Sequence, residues 1–179
     1  PAGHSDLVMG SITAKDEATW KRVKDMALQT GQCVAPDDVY FVLRGLPTMP
    51  IRIKHVERVA LDLAHWLKAQ PQIKAVLHPA LPDCPGHDIW KRDFTGSTGV
   101  FSIVFQDQYG AESAARFIEA LELFGIGASW GGIGSLALTY DLTKSRANWP
   151  HKGALVRLNI GLEDENDLRN DLERALKGL

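Results

Sequence analysis

Ala154-Leu155-Val156-Arg157-Leu158-Asn159-Ile160 alternates in the manner of a β-strand, with Leu155, Arg157 and Asn159 facing one way and Val156, Leu158 and Ile160 the other. Immediately after it, Glu163-Asp164-Glu165 sets acids at what would be the positive end of a helix dipole. Leu168, Leu172, Ala175 and Leu176 then recur at helical spacing before Lys177-Gly178. A strand feeding a helix therefore closes the chain.

The same alternation can be followed upstream. Leu7 to Ala14 is apolar and predicts a strand, and Asp16 is suited to cap a helix carrying Trp20, Val23 and Ala27 on one face until Gly31. Pro36-Asp37-Asp38 predicts a loop. Val56, Val59, Ala60, Leu63 and Leu67 step by three and four, with Arg52, Glu57, Arg58 and Asp62 on other faces, so a long amphipathic helix is expected, ended by Pro71. Ile73 to Leu77 reads as a short strand, and Pro79, Pro82, Pro85 and Gly86 interrupt regular structure beyond it. The change of texture places a subdomain boundary near position 70, dividing the chain into 1–70 and 71–179. Gly99 to Phe105 reads as a buried strand, Ala114, Phe117, Ile118 and Leu121 as a helix face, and Gly125 to Gly132 as glycine-rich strand and turn. Strands alternating with helices predict an α/β architecture.

Composition narrows the function. The chain has 179 residues, 45% hydrophobic and 23% charged, which is globular usage, and no apolar run reaches the roughly 18 residues of a membrane span. Twenty basic against 22 acidic side chains give a net charge of -2, so neither nucleic acid nor a membrane is an expected partner. The two cysteines, Cys33 and Cys84, are too few and too far apart for a thiolate metal site, and two reduced thiols are the expectation. The first residues lack an initiator methionine and the basic and apolar regions of a signal peptide, and a cytoplasmic location is expected.

Several residues could carry chemistry. His4, His55, His65, His78, His87 and His151 form no H-E-x-x-H pattern, and no metal site is expected. Gly3-His4-Ser5-Asp6 contains the three residue types of a hydrolytic triad, but sequence neighbours seldom meet in triad geometry. Cys84 with His87 three residues on could be read as a nucleophile, or as an inert loop thiol. Arg157 is more informative, because a guanidinium within an apolar strand is costly to bury unless something negative faces it. That partner is either an internal acid or a ligand carboxylate held by the guanidinium fork. The glycines at 125, 127, 131 and 132 serve either ordinary turns or close backbone approach to a ligand. From residues alone, an α/β protein with a possible anion site remains, and a free-standing non-catalytic anion-binding module is one reading of it.

A resemblance takes the reading further. His78-Pro79-Ala80-Leu81-Pro82, Gly86-His87 and Trp90-Lys91-Arg92-Asp93-Phe94-Thr95-Gly96-Ser97 resemble the Cys/Met-metabolism family of pyridoxal-phosphate (PLP) enzymes, its cystathionine β-lyase branch in particular. Gly3-His4-Ser5-Asp6, Arg44-Gly45-Leu46, Ser129-Trp130-Gly131-Gly132 and the block from Arg157 to Asp164 agree in the same order. The resemblance implies the C-terminal half of an aminotransferase-like (fold type I) subunit, with residues 1–70 closing the large cofactor domain and 71–179 forming the small domain. The lysine that carries PLP as a Schiff base would stand two residues ahead of Pro1, so no activity is expected of residues 1–179 alone.

By the same resemblance Arg157 would bind the α-carboxylate of an amino-acid substrate, with Ser129 beside it. Trp130 stands where the β-lyase pattern has Trp and the γ-synthase and γ-lyase relatives usually have Leu. Ile133-Gly134 departs from the pattern, which usually has Glu at the second position. The implied reaction is PLP-dependent cleavage of L-cystathionine to homocysteine, pyruvate and ammonia, with γ-synthase or γ-lyase chemistry as the alternative, in a homotetramer of dimers that share active sites.

Overall fold

Asp16 begins the first helix as its sequence predicts: its carboxylate accepts a hydrogen bond from the Thr19 backbone N–H at 2.7 Å, and α1 runs Glu17–Gln29. The computed structural model describes residues 1–143 and 145–179. By compactness the chain divides into two units, Pro1–Met49 and Pro50–Leu179. The break in compactness thus falls at 49/50, whereas the change in sequence texture falls near 70.

The first unit corrects two expectations. Leu7 to Ala14 is irregular rather than a strand, with Val8 93% and Ile12 75% exposed. An apolar run becomes a strand only where a neighbouring ladder takes up its backbone groups. Pro36-Asp37-Asp38 is not a loop but the first turn of α2, Pro36–Gly45. Proline fits there because its missing N–H would have no intrahelical partner, and the two acids complement the positive helix end. A single 3₁₀ turn, Leu46–Thr48, follows.

The second unit holds the sheet. Its elements in order are α3 (Met49–Lys68), β1 (Ile73–Leu77), α4 (His87–Asp93), β2 (Val100–Phe105), α5 (Ala111–Glu119), β3 (Gly125–Ile126), β4 (Leu136–Tyr140), β5 (Leu155–Asn159) and α6 (Glu165–Lys177). The strand order is β1-β2-β5-β4-β3, so the arginine-bearing strand is central. β1 with β2, β2 with β5 and β5 with β4 are antiparallel, and only β3 with β4 is parallel. Asp164 caps α6 through the N–H groups of Asn166 and Asp167.

One face of this sheet is a layer of helices. Val59, Ala60, Leu63, Ala64 and Leu67 of α3, Phe117 of α5 and Leu168 and Leu172 of α6 share one core with Phe101, Ile103 and Phe105 of β2 and with Val156, Leu158 and Ile160. Phe105 and Phe117 meet edge to face, their centroids 5.3 Å apart. Since side chains alternate along β5, burying Val156, Leu158 and Ile160 against the helices sends Arg157 and Asn159 to the opposite face.

His78, just past β1, is fully buried, its ring 5.8 Å from that of Phe101. Nδ1 accepts from the Ala80 N–H at 3.2 Å, and Nε2 is buried without a partner. Burial holds its pKa below the usual 6.5, helped by His65 and opposed by Glu57.

Two outcomes follow from this core. Phe117→Ala should cost about 3–5 kcal/mol of unfolding free energy by opening a cavity, measured by denaturant titration; a cost below about 1 kcal/mol would contradict the packing described. The His78 effect has a defined sign: the unfolded chain takes up the proton near pH 6.5 and the folded chain only lower, so stability present above that pH is lost as pH falls through it. Urea midpoints measured between about pH 8 and 5 should fall across this window, and fall less in His78→Asn. Identical pH profiles for the two proteins would contradict it.

Candidate functional site

Arg157 sits at the middle of the central strand, opposite Ser102 of β2 and Leu138 of β4. Its Nη2 donates to the backbone carbonyls of Gly127, at 3.2 Å, and Ser129, at 3.0 Å. The guanidinium lies 5.4 Å from the centroid of the Tyr140 ring. Nε is buried and has no hydrogen-bond partner. Among the described residues no acid pairs with Arg157, whereas other arginines such as Arg58, Arg92 and Arg174 do find carboxylates. The side chain is partly exposed, not enclosed as its strand position predicts. An internal ion pair, one of the two readings open from the sequence, is therefore not what these residues form.

The carbonyls that hold Arg157 belong to residues 127–135, whose path is dictated by topology. β3 and β4 are parallel neighbours, with Gly125 opposite Leu136, so the chain cannot turn back as a hairpin and must return to the start of β4. The polar groups at and beyond the end of β5 tie that return down. Asn159, 1% exposed, accepts from the Gly131 N–H at 3.0 Å and donates to the Gly134 carbonyl at 3.4 Å. Ser135 donates its N–H and its hydroxyl to the two oxygens of Glu163, at 2.6 and 2.8 Å, and its Oγ accepts from the Gly161 N–H at 2.9 Å. Gly161 has to be glycine here, because a Cβ would lie 2.3 Å from the Ile133 carbonyl oxygen.

Of the residues singled out in the sequence, Arg157 and Ser129 are thus brought together, through the Ser129 carbonyl, and Trp130 follows directly, 66% exposed. Tyr140, Asn159, Ser135 and Glu163 carry no signal strong enough to be selected from sequence alone. Asn159 came nearest, as a polar side chain two residues from Arg157 on the same strand face. Gly134, where the family pattern usually has an acid, contributes its carbonyl to Asn159.

The rival constellations do not assemble. His4 bonds through Nδ1 to the Ala2 carbonyl at 2.6 Å, not to Ser5 or Asp6. His87 bonds through Nδ1 to the Pro79 carbonyl at 2.9 Å, and burial, with Asp83 adding, pushes the Cys84 thiol up, the opposite of what activates a nucleophile. Cys33 and Cys84 are both free thiols. A cleft between α3 and α6 is lined by Asp62, His65, Trp66, Glu165 and Arg169 and contains none of the site residues. Among the described residues no helix is long and apolar enough to cross a membrane.

A guanidinium fixed by backbone dipoles, partly exposed and with its charge not cancelled, can attract a carboxylate or another planar anion. These residues fit the carboxylate end of an amino-acid site more than the aldehyde end of a cofactor, which requires an amine.

The family description Cys/Met metabolism PLP-dependent enzyme matches residues 2–177. A Rhizobium johnstonii protein provisionally named cystathionine beta-lyase is 46% identical over 98% of this chain and 45% of its own length. An L-alanine/L-glutamate racemase of Wolbachia pipientis is 41% identical over 99% of the chain and 45% of its own length, and cystathionine beta-lyase MetC of Escherichia coli is 39% identical over 96% and 44%. The solved structure of metB from Corynebacterium glutamicum superposes with a TM-score of 0.87 at 29% identity, covering 99% of this chain and 46% of that one. The chain spans about half the length of the relatives it matches, and its fold is that of the fold type I PLP enzymes. With a family match over nearly its whole length and these identities, the chain belongs to the Cys/Met metabolism family of PLP-dependent enzymes.

Proposed function

We propose that this chain supplies the substrate-carboxylate side of a PLP-dependent carbon–sulfur lyase that cleaves L-cystathionine. With water, the products are homocysteine, pyruvate and ammonia. The observation that carries the reading is Arg157, a guanidinium held by two backbone carbonyls with Nε unpartnered and no acid pairing with it among the described residues. Names among the relatives support β-lyase chemistry, and Trp130 agrees with it.

Arg157 acts by binding and orienting. A carboxylate docked against the guanidinium, whose charge no acid cancels among the described residues, gains a charge-assisted contact in a partly water-excluded place. More importantly, fixing the carboxylate limits rotation about Cα and sets which of its bonds faces the cofactor, an effect of orientation more than of attraction. PLP, when bound in the complete subunit, supplies the electron sink for the bond broken at Cα. Ser129 holds the guanidinium through its carbonyl, and Trp130, next to it in the chain, is assigned with it to the substrate side. We further place residues 1–70 in the large cofactor domain and 71–179 in the small domain of the complete subunit. We also propose a cytoplasmic tetramer of dimers that share active sites.

In the complete subunit, Arg157→Ala should lower kcat/KM by on the order of a hundredfold, about 3 kcal/mol, because it removes binding and alignment together. Near-normal kcat/KM would refute the assignment. The products separate the chemistries: pyruvate from L-cystathionine is expected, α-ketobutyrate would indicate the γ-lyase alternative, and racemisation of L-alanine without either keto acid would move the protein toward its racemase relative.

A further inference from the structure

Asn159 is almost fully buried, and a buried carboxamide must find partners for both its ends. It finds them on the loop over Arg157: Oδ1 accepts from the Gly131 N–H at 3.0 Å, and Nδ2 donates to the Gly134 carbonyl at 3.4 Å. Gly131 has φ +75, a left-handed conformation that glycine adopts freely, so the N–H is presented by a backbone shape other residues would resist. Arg157 and Asn159 lie two residues apart on a strand bonded on both sides, opposite Ser102 and Val100 of β2 and Leu138 and Leu136 of β4. Their backbones are therefore fixed relative to each other, and the loop bridges their side chains.

We infer that Asn159 is the positioning residue of the carboxylate site: its carboxamide ties down residues 127–135 so that the Gly127 and Ser129 carbonyls hold Nη2 of Arg157 and fix the direction in which the rest of the guanidinium faces. This inference rests on the reading of Arg157 as the carboxylate anchor. The choice of Asn over its near-isosteres follows from charge and donor count. Asp could accept from Gly131 but not donate to Gly134, and it would set a negative charge on the face of Arg157, competing with the ligand. Ser is too short to span both loop positions. A neutral side chain with one acceptor and one donor orders the loop while leaving the guanidinium charge available.

The test is a double-mutant cycle in the complete PLP-loaded subunit. Dissociation constants are measured by calorimetry for L-alanine and for L-alaninamide, which lacks the carboxylate, with melting temperatures alongside. Asn159→Ala should weaken L-alanine about tenfold or more and L-alaninamide less than about twofold, and should have no further effect on L-alanine once Arg157→Ala is present. Equal weakening of both ligands, or an undiminished effect in the Arg157→Ala background, would overturn the inference. If Arg157→Ala itself leaves the preference for L-alanine intact, the reading of the anchor fails and the inference with it. If Arg157→Ala removes that preference and Asn159→Ala does not, only the inference is lost. Should Asn159→Ala not fold, Asn159→Asp, which keeps the acceptor for Gly131, should show the same selective loss, and unchanged selectivity would overturn the inference.

Discussion

The Nη2 group of Arg157 donates to two peptide carbonyls, and much of the site follows from that choice of partner. A carboxylate in their place would both orient the guanidinium and cancel its charge. Two dipoles orient it and leave the charge in force, held by hydrogen bonds of the stronger, charge-assisted kind. The arrangement makes sense only if the carbonyls stay where they are. That requirement falls on a loop forced to run back between two parallel strands, with Asn159 gripping its middle and Glu163, through Ser135, gripping its end.

The fold meets the requirement by dividing the faces of one strand. Val156, Leu158 and Ile160 are committed to the helix-covered core, where burial fixes β5 in register, and the alternate residues are free for polar work on the other side. Rigidity from the apolar face is thus passed to Arg157 and Asn159 with no loop in between. A binding group on a central strand, supported by neighbours on the same strand, can be placed more accurately than one carried by a loop.

Much of this was legible in the residues, and where it was not the reason is physical. β5 and α6 were readable because alternation and an acidic cap sit side by side, and α3 because its apolar stripe runs for several turns. Leu7 to Ala14 misled because apolar content signals burial only if some partner covers it, and Val8 and Ile12 are largely exposed. Pro36 misled because proline ends helices and also begins them, and the acids after it decide which. β4 is not legible because it is short and follows a glycine-rich stretch. Arg157 stood out as a charge among apolar neighbours, but what faces it is carbonyl oxygen, which no sequence pattern announces. Asn159 reads as an unremarkable polar residue until Gly131 and Gly134, more than twenty positions away, are brought to it.

A crystal structure of the complete subunit with PLP and an unreactive amino-acid analogue bound bears on the account most directly. The analogue's carboxylate is expected within hydrogen-bonding distance of the Arg157 guanidinium, with the Gly127 and Ser129 carbonyls still on Nη2. A carboxylate bound elsewhere, with Arg157 paired to an acid of the protein, would contradict it.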